Sequence, residues 1–347
     1  MTVYAINPLE DSRWADLVEK HASGSIFHTP GWLRALRLTY DYEPVVFTTS
    51  PPQARLTNGI VFCPISSWLT GRRMVSLPFA DHCEPLWESR EERDEMFSFL
   101  RQTMKTQSWK YIEIRPRTSG FLSDISTEER GSSFCFHALD LRPSLDALFA
   151  GLQKSSIQRM IRRAEREGLS CEKGRCEVLL EKFYRLMLKT RRRHKLPPQP
   201  ISWFRNLINC LGERLSIRVA SKNGEAMAGI LTLSHRRTLV YKYGCSDERF
   251  HHWGSVPFLL WNAIQEAKET DFQEFDLGRS DIGNSGLIRF KDRWGGKAAL
   301  LQYVKLSNQP PEHTGEDRRM RVAKRFFAYM PDGLLTAAGK LLYRHIG

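Results

Sequence analysis

The chain has 347 residues, enough for about two domains of roughly 150 residues, so it is too long for a peptide or a disulfide-stabilised mini-protein. Hydrophobic residues make up 41% of the chain and charged residues 26%, which is typical of folded globular proteins and excludes intrinsic disorder. The net charge of +13 favours anionic partners.

The first half of the chain predicts a helix followed by strands. Thr29 and Pro30 are typical of a helix start, and Leu33, Leu36 and Tyr40 then repeat at helical spacing. Two segments rich in Val, Ile and Phe, separated by turn residues, predict an antiparallel pair. The predicted elements after the first helix are strands at Tyr42–Thr48, Gly59–Ile65 and Arg73–Leu77, a helix at Glu91–Lys105 and a strand at Tyr111–Arg115.

The second half predicts a similar order. Helical faces at 145–152 and 157–164 imply a break near Ser155 and Ser156, and Asn223-Gly224 is typical of a hairpin turn. The remaining predicted elements are helices at Cys176–Lys189, Trp203–Leu211 and Gly254 to about Lys268, and strands at Ser216–Ser221, Glu225–Ser234, Thr238–Gly244, Phe272–Leu277 and Leu300–Leu306. Each half thus offers helix, antiparallel strands, helix and strand, which predicts the α+β class with mixed sheets.

The seven cysteines are odd in number and scattered, without a C-x-x-C pair or a matching histidine pattern. We expect reduced thiols, no metal site, and direct transfer chemistry rather than a cysteine nucleophile. No apolar stretch approaches the roughly 18 residues of a membrane span, and the first residues lack a signal-peptide pattern. The expected location is therefore the cytoplasm.

A glycine-rich segment after the predicted strand at Phe272–Leu277 carries the strongest chemical signal. Asp276, Arg279, Asp281 and Lys291 cluster there around glycines that free the backbone to turn. A surface loop whose charges pair with one another is the alternative interpretation.

A second signal is the helix start at Gly254, Ser255 and Val256, which follows the strand containing Tyr243. Free amides at a helix start bind phosphate, so these four residues are candidates for holding an acyl-coenzyme A, although the usual Gly-x-Gly turn is absent. A plain helix cap is the alternative.

Three further segments carry polar or charged groups. Asp81 and His82, in the segment 76–86, could bind an acceptor or remove its proton, unless this is a solvated loop. Arg192 and His194 lie in a basic run, and an arginine stripe shares one predicted helix face; both could hold phosphate or simply face water. The members of the stripe are Arg159, Arg162, Arg163 and Arg166.

The last residues predict two short basic amphipathic helices, Arg318–Tyr329 and Leu334–Ile346. Such a tail can attach to an anionic membrane, here the inner face of the cytoplasmic membrane, or dock on the protein's own body.

Several motifs in this order resemble the FemAB-related, BioF2-like (CelD-like) acetyltransferases of the GNAT superfamily. The resemblance runs from about Ser25 to Leu306 and rests on Ser25-Ile-Phe-His-Thr-Pro-Gly-Trp32, Leu77-Pro-Phe-Ala-Asp81, Ile161-Arg-Arg-Ala164 with Gly168, Thr190-Arg-Arg-Arg-His194 with Pro197, Asp276-Leu-Gly278, and Phe290-Lys291 before Trp294-Gly295. It implies two tandem GNAT-like units packed together, 1–143 and 144–308, followed by a basic amphipathic helical tail at 309–347.

The resemblance also implies a function. Lys291 matches the lysine that lies at the reacting carbonyl in Fem-type enzymes, where its ammonium would stabilise the developing oxyanion. The expected activity is acyl transfer from acetyl-CoA or another acyl-CoA to an anionic small-molecule acceptor, namely a sugar, nucleotide-sugar or cell-envelope or exopolysaccharide precursor. Asp81 or His82 would act on the acceptor, and Arg192, His194 and Arg279, with Asp276 and Asp281, would bind it.

Two alternatives stay open at this point. One is a Fem-type aminoacyl transferase that uses charged tRNA and acts on a peptidoglycan precursor. The other is a non-catalytic adaptor of an envelope assembly, for which the missing pyrophosphate glycines are the main argument.

Overall fold

The structure is a computed structural model that describes residues 2–68, 70–118, 125–126, 129–307, 327 and 330–346. Its strands are β1 (Tyr4–Ile6), β2 (Val45–Thr48), β3 (Ile60–Ser67), β4 (Gly71–Val75), β5 (Tyr111–Ile114), β6 (Arg130–Asp140), β7 (Ser170–Gly174), β8 (Leu215–Lys222), β9 (Glu225–His235), β10 (Thr238–Ser246), β11 (Glu274–Asp281) and β12 (Lys297–Ser307). Its α-helices are α1 (Ser12–Lys20), α2 (Pro30–Tyr40), α3 (Arg90–Thr106), α4 (Leu145–Gly151), α5 (Arg159–Arg166), α6 (Glu177–Arg193), α7 (Ile201–Leu211), α8 (Ser255–Glu269), α9 (Ser285–Asp292) and a C-terminal helix, Asp332–Ile346.

The chain forms two compact units. The first comprises Met1–Phe134, Leu300–Gly315 and Leu341–Gly347, and the second comprises Cys135–Ala299 and Glu316–Lys340. The predicted domains 1–143, 144–308 and 309–347 stay a prediction, because compact units need not coincide with independently folding domains.

The first unit is built on strands in the order β1-β2-β3-β4-β5-β12. Neighbouring strands are antiparallel except β4 and β5, which run parallel and are joined by α3. Ser89 and Glu92 form a capping box at the start of α3, and the apolar face of this helix packs on the sheet through Met96, Leu100 and Met104.

The second unit repeats this arrangement with strands in the order β6-β11-β10-β9-β8-β7. Here the parallel pair is β10 and β11, joined by α8, and β7 to β10 pair antiparallel. On β9, Ala228 and Ile230 belong to the core under α8, whereas Gly229 faces Phe183 of α6 at a distance that leaves no room for a side chain. Since neighbouring strand residues face opposite sides, α6 and α8 cover opposite faces of this sheet.

These observations confirm the α+β class with mixed sheets, the antiparallel pair β2–β3 and the hairpin at Asn223-Gly224, where both residues have positive φ. The break near Ser155 and Ser156 is a single π-helical segment, Lys154–Gln158, between α4 and α5. The C-terminal helix confirms the second predicted tail helix. The first, Arg318–Tyr329, lies outside the described residues except for Phe327.

One expectation was wrong. The glycine-rich segment after Leu277 is not a loop, because β11 continues to Asp281 and α9 begins at Ser285. The side chain of Asn284 accepts a hydrogen bond of 3.1 Å from the backbone N–H of Leu287, so a local cap offsets the low helix propensity of glycine.

Candidate functional site

The two parallel strands of the second unit separate partway along their length. Their last pair is Val240–Asp276, although β10 continues to Ser246 and β11 to Asp281. The pairing of β10 with β9 has one irregularity, between Tyr241 and Tyr243, and then continues to Ser246. Residues 241–246 and 277–281 therefore form an opening between parallel strands, which we call the β10–β11 fork.

Lys291, on α9, lies at this fork. Its side chain is buried, with the residue only 3% exposed, and Nζ donates hydrogen bonds of 2.9 Å to the carbonyl oxygens of Gly278 and Arg279. Both carbonyls lie beyond the last pair of β11 with β10. A buried ammonium needs such partners, and its charge acts more strongly there than in water.

Asp276 supports the same stretch of β11. Its side chain is fully buried, and Oδ1 accepts a hydrogen bond of 2.7 Å from the backbone N–H of Gly278, whose φ of +73° glycine adopts without steric cost. The structure thus brings three of the predicted residues together, Asp276, Arg279 and Lys291. Asp281 lies exposed at the end of β11.

A buried histidine that the sequence analysis missed holds the end of α9. The side chain of His137, on β6, is fully buried, and its Nε2 lies 2.9 Å from Oδ1 of Asp292. Asp292 follows Lys291 and is the last residue of α9. The contact therefore fixes the helix end that carries the lysine.

Cys135 lies beside His137 but is not a nucleophile in this arrangement. Its Sγ is 3.8 Å from Nδ1 and 3.9 Å from Nε2 of the ring. Because the sulfur is nearly equidistant from both nitrogens, it does not lie along the lone-pair or N–H direction of either one, as a good hydrogen bond requires. Burial raises the pKa of the Cys135 thiol, and the Asp292 carboxylate raises it further. These properties make Cys135 a poor nucleophile, and direct transfer without a cysteine intermediate stays a prediction.

The predicted coenzyme residues at the start of α8 lie close to α5. A Cβ at Gly254, whose φ is +73°, would lie 2.4 Å from the carbonyl oxygen of Met160 on α5, and Ser255 is only 2% exposed. Val256 is half-buried, and Pro257 contributes no N–H. Gly254 and Ser255 at the start of α8 are therefore buried, and the role of these residues as coenzyme contacts stays a prediction.

Two tyrosines occupy the forked part of β10. The hydroxyl of Tyr243 accepts a hydrogen bond of 2.9 Å from Nε1 of Trp203 on α7. Tyr241 packs into the core under α8, with its hydroxyl against the backbone of Gly244. Burial raises the pKa of Tyr241, so its phenol stays protonated at neutral pH.

The basic run at the end of α6 is tied to the end of β10. Oγ1 of Thr190 accepts a hydrogen bond of 2.8 Å from the backbone N–H of Ser246. Arg192 and His194 are exposed beyond it. Partial burial and the neighbouring charge of Arg193 lower the pKa of His194, which favours a neutral imidazole.

The corresponding fork of the first unit is filled by its own chain. After β4 the main chain turns at Leu77, whose φ of 63° is unusual for a residue with a side chain. Arg115, just beyond β5, donates hydrogen bonds to the carbonyl oxygens of Leu77 at 2.8 Å and Ala80 at 3.2 Å, and its own carbonyl accepts one of 2.6 Å from the N–H of Cys83. The segment is thus packed in place rather than solvated.

Asp81 and His82 lie in this packed segment. The carbonyl oxygen of Asp81 accepts a hydrogen bond of 2.6 Å from the hydroxyl of Tyr303, and the buried ring of His82 packs edge-on against Phe27. Both belong to the first unit, whereas Lys291 belongs to the second. Their role toward an acceptor stays a prediction.

Comparison with protein families gives one match. Residues 152–292 match the model of the acetyltransferase (GNAT) domain, a range that includes the fork, Lys291 and the start of α8. Curated protein sequences give no significant match. In the described part of the chain, no group of three or more His, Cys, Asp or Glu side chains could hold a metal ion, and no helix there is long and apolar enough to cross a membrane.

Solved structures show the same fold over most of the chain. FemX is 13% identical, with 88% of this chain and 97% of FemX aligned and a TM-score of 0.66. The C-terminal domain of a putative lysylphosphatidylglycerol synthetase from Agrobacterium fabrum is 14% identical, covering 92% and 96%, with a TM-score of 0.57. A tandem GNAT protein from the clavulanic acid biosynthesis pathway is 11% identical, covering 90% and 99%, with a TM-score of 0.54. The predicted fold of two tandem GNAT-like units is confirmed.

Proposed function

Because residues 152–292 form a GNAT-type transferase domain, we propose that this chain transfers an acyl group to an amine or hydroxyl at the β10–β11 fork. The observation that carries the proposal is the buried ammonium of Lys291, which is bonded to the part of β11 that no longer pairs with β10. The acceptor nitrogen or oxygen forms a bond to the acyl carbon, and the bond from that carbon to its carrier breaks. Lys291 stabilises the oxyanion between these two events, a contribution of about 3–4 kcal/mol for donors of this kind.

The proposed acceptor is an anionic small molecule, namely a sugar, nucleotide-sugar or envelope or exopolysaccharide precursor. The exposed Arg192 and His194 at the end of α6, and Arg279 beside Lys291, are the groups we assign to its anionic parts, with the exposed Asp281 as a further binding residue. Asp276 is fully buried and bonded to Gly278, so it supports β11 rather than contacting the acceptor. Asp81 and His82 remain our candidates for orienting or deprotonating the attacking group.

The proposed donor is an acyl-CoA, the general co-substrate of GNAT domains, with Tyr243, Gly254, Ser255 and Val256 as its predicted contacts. One observation favours a second candidate, an aminoacyl-tRNA. Met160 lies against Gly254, and Ser255 is buried, which leaves less room for a pyrophosphate at the start of α8.

A basic surface beside the covered helix start also supports the second candidate. Arg159, Arg162 and Arg166 are exposed on α5, the helix that carries Met160. Several cations on one face attract a nucleic-acid backbone in a salt-dependent manner. Among the similar structures, the putative lysylphosphatidylglycerol synthetase is named for a product that carries an aminoacyl group.

Calorimetric titration distinguishes the two donors. Acetyl-CoA and longer acyl-CoAs are compared with free CoA and ATP, and a charged tRNA is compared at low and high salt. Saturable binding that requires the acyl-pantetheine arm supports the acyl-CoA proposal. Binding of tRNA that weakens steeply with salt supports the second candidate. Absence of binding and of turnover with both donors would overturn acyl transfer and leave the adaptor role.

Turnover tests the residue that carries the proposal. Lys291→Ala should lose acyl transfer with the donor identified above, whereas Arg289→Gln, which removes an exposed charge from the same helix, should not. Full turnover by a folded Lys291→Ala protein would show that the fork is not the reaction site.

Peripheral contact with an anionic membrane at the inner face of the cytoplasmic membrane is a separate proposal for the C-terminal helix. Its exposed side carries Leu334 and Leu341 together with Lys340 and Arg344. Its last residues belong to the first unit, where the hydroxyl of Tyr42 donates a bifurcated hydrogen bond, 3.0 Å to each of the carbonyl oxygens of residues 343 and 344. Flotation with anionic liposomes should depend on Leu341, and an unchanged Leu341→Glu protein would contradict membrane contact.

A further inference from the structure

A cavity of about 540 Å³ lies in the second unit, at the opposite end of the sheet from the fork. It reaches Leu239, where β10 and β11 are still paired, whereas the fork begins after Val240. Its walls come from β7, β8, β9, β10 and the end of α8. The cavity is therefore separate from the proposed reaction site, and nothing in the acyl-transfer proposal uses it.

The sheet face in this cavity is polar, although the same face is apolar nearer the fork. Ala220 on β8 and Ala228 on β9 are paired and belong to the core under α8. Two and four residues away on the same face, β8 presents Arg218 and Ser216, and β9 presents Thr232 opposite Ser216. A sheet face beneath a helix is normally apolar, so this change of character needs a reason.

Arg218 is buried in the cavity wall, with only 3% of the residue exposed. One terminal nitrogen of its guanidinium donates a hydrogen bond of 3.0 Å to Oγ1 of Thr232, and the other lies 3.0 Å from Oε2 of Glu266 on α8. Lys173 contacts the same carboxylate. Buried ion pairs of this kind are often no more stabilising than well-packed apolar residues, so stability alone does not account for the arginine.

Ser216 gives the second, independent observation. Its Oγ has almost no exposed surface and no hydrogen-bond partner among the described residues, and the residue itself lines the cavity. A buried hydroxyl without a partner is costly, and most such groups in native proteins are satisfied. A rotation of the Ser216 side chain toward the cavity would let a ligand hydroxyl satisfy it.

The charges around the cavity define the ligand further. Its charged lining residues are four cations and two carboxylates, Lys173, Arg175, Arg214, Arg218, Glu213 and Glu266. The excess positive charge suits a phosphate group, which arginine binds well. The carboxylate of Glu266 and the hydroxyls of Ser216 and Thr232 suit the hydroxyl groups of a polyol.

We propose that this cavity is a second ligand site that binds a small phosphorylated polyol, such as a sugar phosphate. The phosphate contacts the cationic side chains, and the hydroxyl groups contact Ser216 and Glu266. The volume lies within the range of ordinary small-molecule sites.

Calorimetry on the full-length protein tests the site with glucose 6-phosphate, ribose 5-phosphate and glycerol 3-phosphate as probes. Glucose and inorganic phosphate are the controls, because each contains only one part of the proposed ligand. We expect saturable binding of at least one polyol phosphate at one site per chain, roughly tenfold tighter than inorganic phosphate. Glucose should bind more weakly than its phosphate.

Two variants and one control locate the binding. Ser216→Ala removes an unpartnered hydroxyl, so it should fold normally and weaken binding about fivefold. Arg175→Gln should weaken it by roughly tenfold. Arg185→Gln removes an equal charge from the exposed surface of α6, outside the cavity, and should change nothing.

Each other result overturns the proposal. No saturable binding of any polyol phosphate at millimolar concentration, or equal losses in Arg185→Gln and Arg175→Gln, would show that the cavity is not a ligand site. Inorganic phosphate binding as tightly as every polyol phosphate would refute the polyol part. None of these outcomes changes turnover at the fork, so the two proposals fail separately.

Discussion

The Nζ atom of Lys291 lies 2.9 Å from the carbonyl oxygen of Gly278, thirteen residues earlier in the chain. This bond ties α9 to the part of β11 that no longer pairs with β10. His137, on β6, holds the same helix end through its contact with Asp292 of α9. A positive charge is therefore fixed where two parallel strands separate, and each of these contacts lies within the second unit.

Substitution of Lys291 should lower both turnover and the free energy of unfolding. Removing a preorganised donor of this kind lowers kcat by about 10²–10³, so Lys291→Ala should lose most of its turnover in a single-turnover assay. Lys291→Met should also lower the free energy of unfolding, measured in urea, by about 1–3 kcal/mol, because two buried carbonyl groups lose a donor.

The control for both measurements is Arg289→Gln on the exposed side of α9. It should leave turnover and the urea midpoint close to those of the unmodified protein. A Lys291→Met protein as stable as this control would mean that the two carbonyl bonds do not hold α9 to β11.

Gly254 should tolerate no side chain. In Gly254→Ala the new methyl group would meet the carbonyl oxygen of Met160 at 2.4 Å, in addition to the cost of a left-handed backbone. We expect a loss of about 3 kcal/mol or more in the free energy of unfolding, measured in urea.

Gly168→Ala is the matched control for this substitution. Gly168 has a similar φ of +68°, but a Cβ there would have no neighbour within 4 Å. Gly168→Ala should lower the free energy of unfolding by about 1–2 kcal/mol, which is the contribution of the left-handed backbone alone. Equal losses in the two variants would show that α5 does not pack on the start of α8 in solution.

The sequence predicted those elements of the second unit that are determined by local residue patterns. The three strands β8, β9 and β10 follow from apolar runs and the turn at Asn223-Gly224, which the structure confirms. α9 was not predicted because Gly283 and Gly286 are typical of loops, and Asn284, which caps the helix, is as common in turns as at helix starts.

The parts of the site that were not predicted depend on contacts between distant positions. His137 and Asp292 are 155 residues apart, so no spacing rule joins them. Gly254 packs against Met160, which lies on a different helix, α5. Arg218 lies in a strand of alternating polar and apolar residues, a pattern typical of a solvated face, yet it is buried because Glu266 and Thr232 satisfy it.

The pKa values of His194 and His251 should depend on the charge of Arg193. Partial burial, followed by the charge of Arg193, lowers the pKa of both His194 and His251. Arg193→Gln should therefore raise both pKa values, measured by NMR titration of the imidazole protons. Arg185→Gln, on an exposed part of the same helix, should leave them unchanged.

The sign of the associated stability change follows from the direction of the shift. A histidine whose folded pKa lies below its ordinary value of 6.5 stabilises the protein above that pH and loses this contribution as the pH falls through the folded pKa. Arg193→Gln should reduce this loss on acidification. Unmoved imidazole pKa values would contradict the electrostatic role assigned to Arg193.

Asp247, just after β10, should contribute to the pH dependence of the free energy of unfolding at acidic pH. Its side chain is only 5% exposed, and it forms ion pairs of 2.8 Å with Arg249 and 2.6 Å with Lys189. The Arg249 hydrogen bond is the main cause that holds the pKa of Asp247 well below its usual value of 3.8, and the Lys189 hydrogen bond adds to it.

A carboxylate with a depressed pKa contributes stability above pH 3.8 that is lost as the pH falls through the folded pKa. Asp247→Asn should therefore be less stable than the unmodified protein at pH 7, and its free energy of unfolding should fall less between pH 4 and pH 2. Both partners are more than half exposed, so added salt should shrink the difference at pH 7. Asp271→Asn, at an exposed carboxylate, is the control, and an Asp247→Asn protein with the control's acid-unfolding curve would show that these ion pairs carry no net stability.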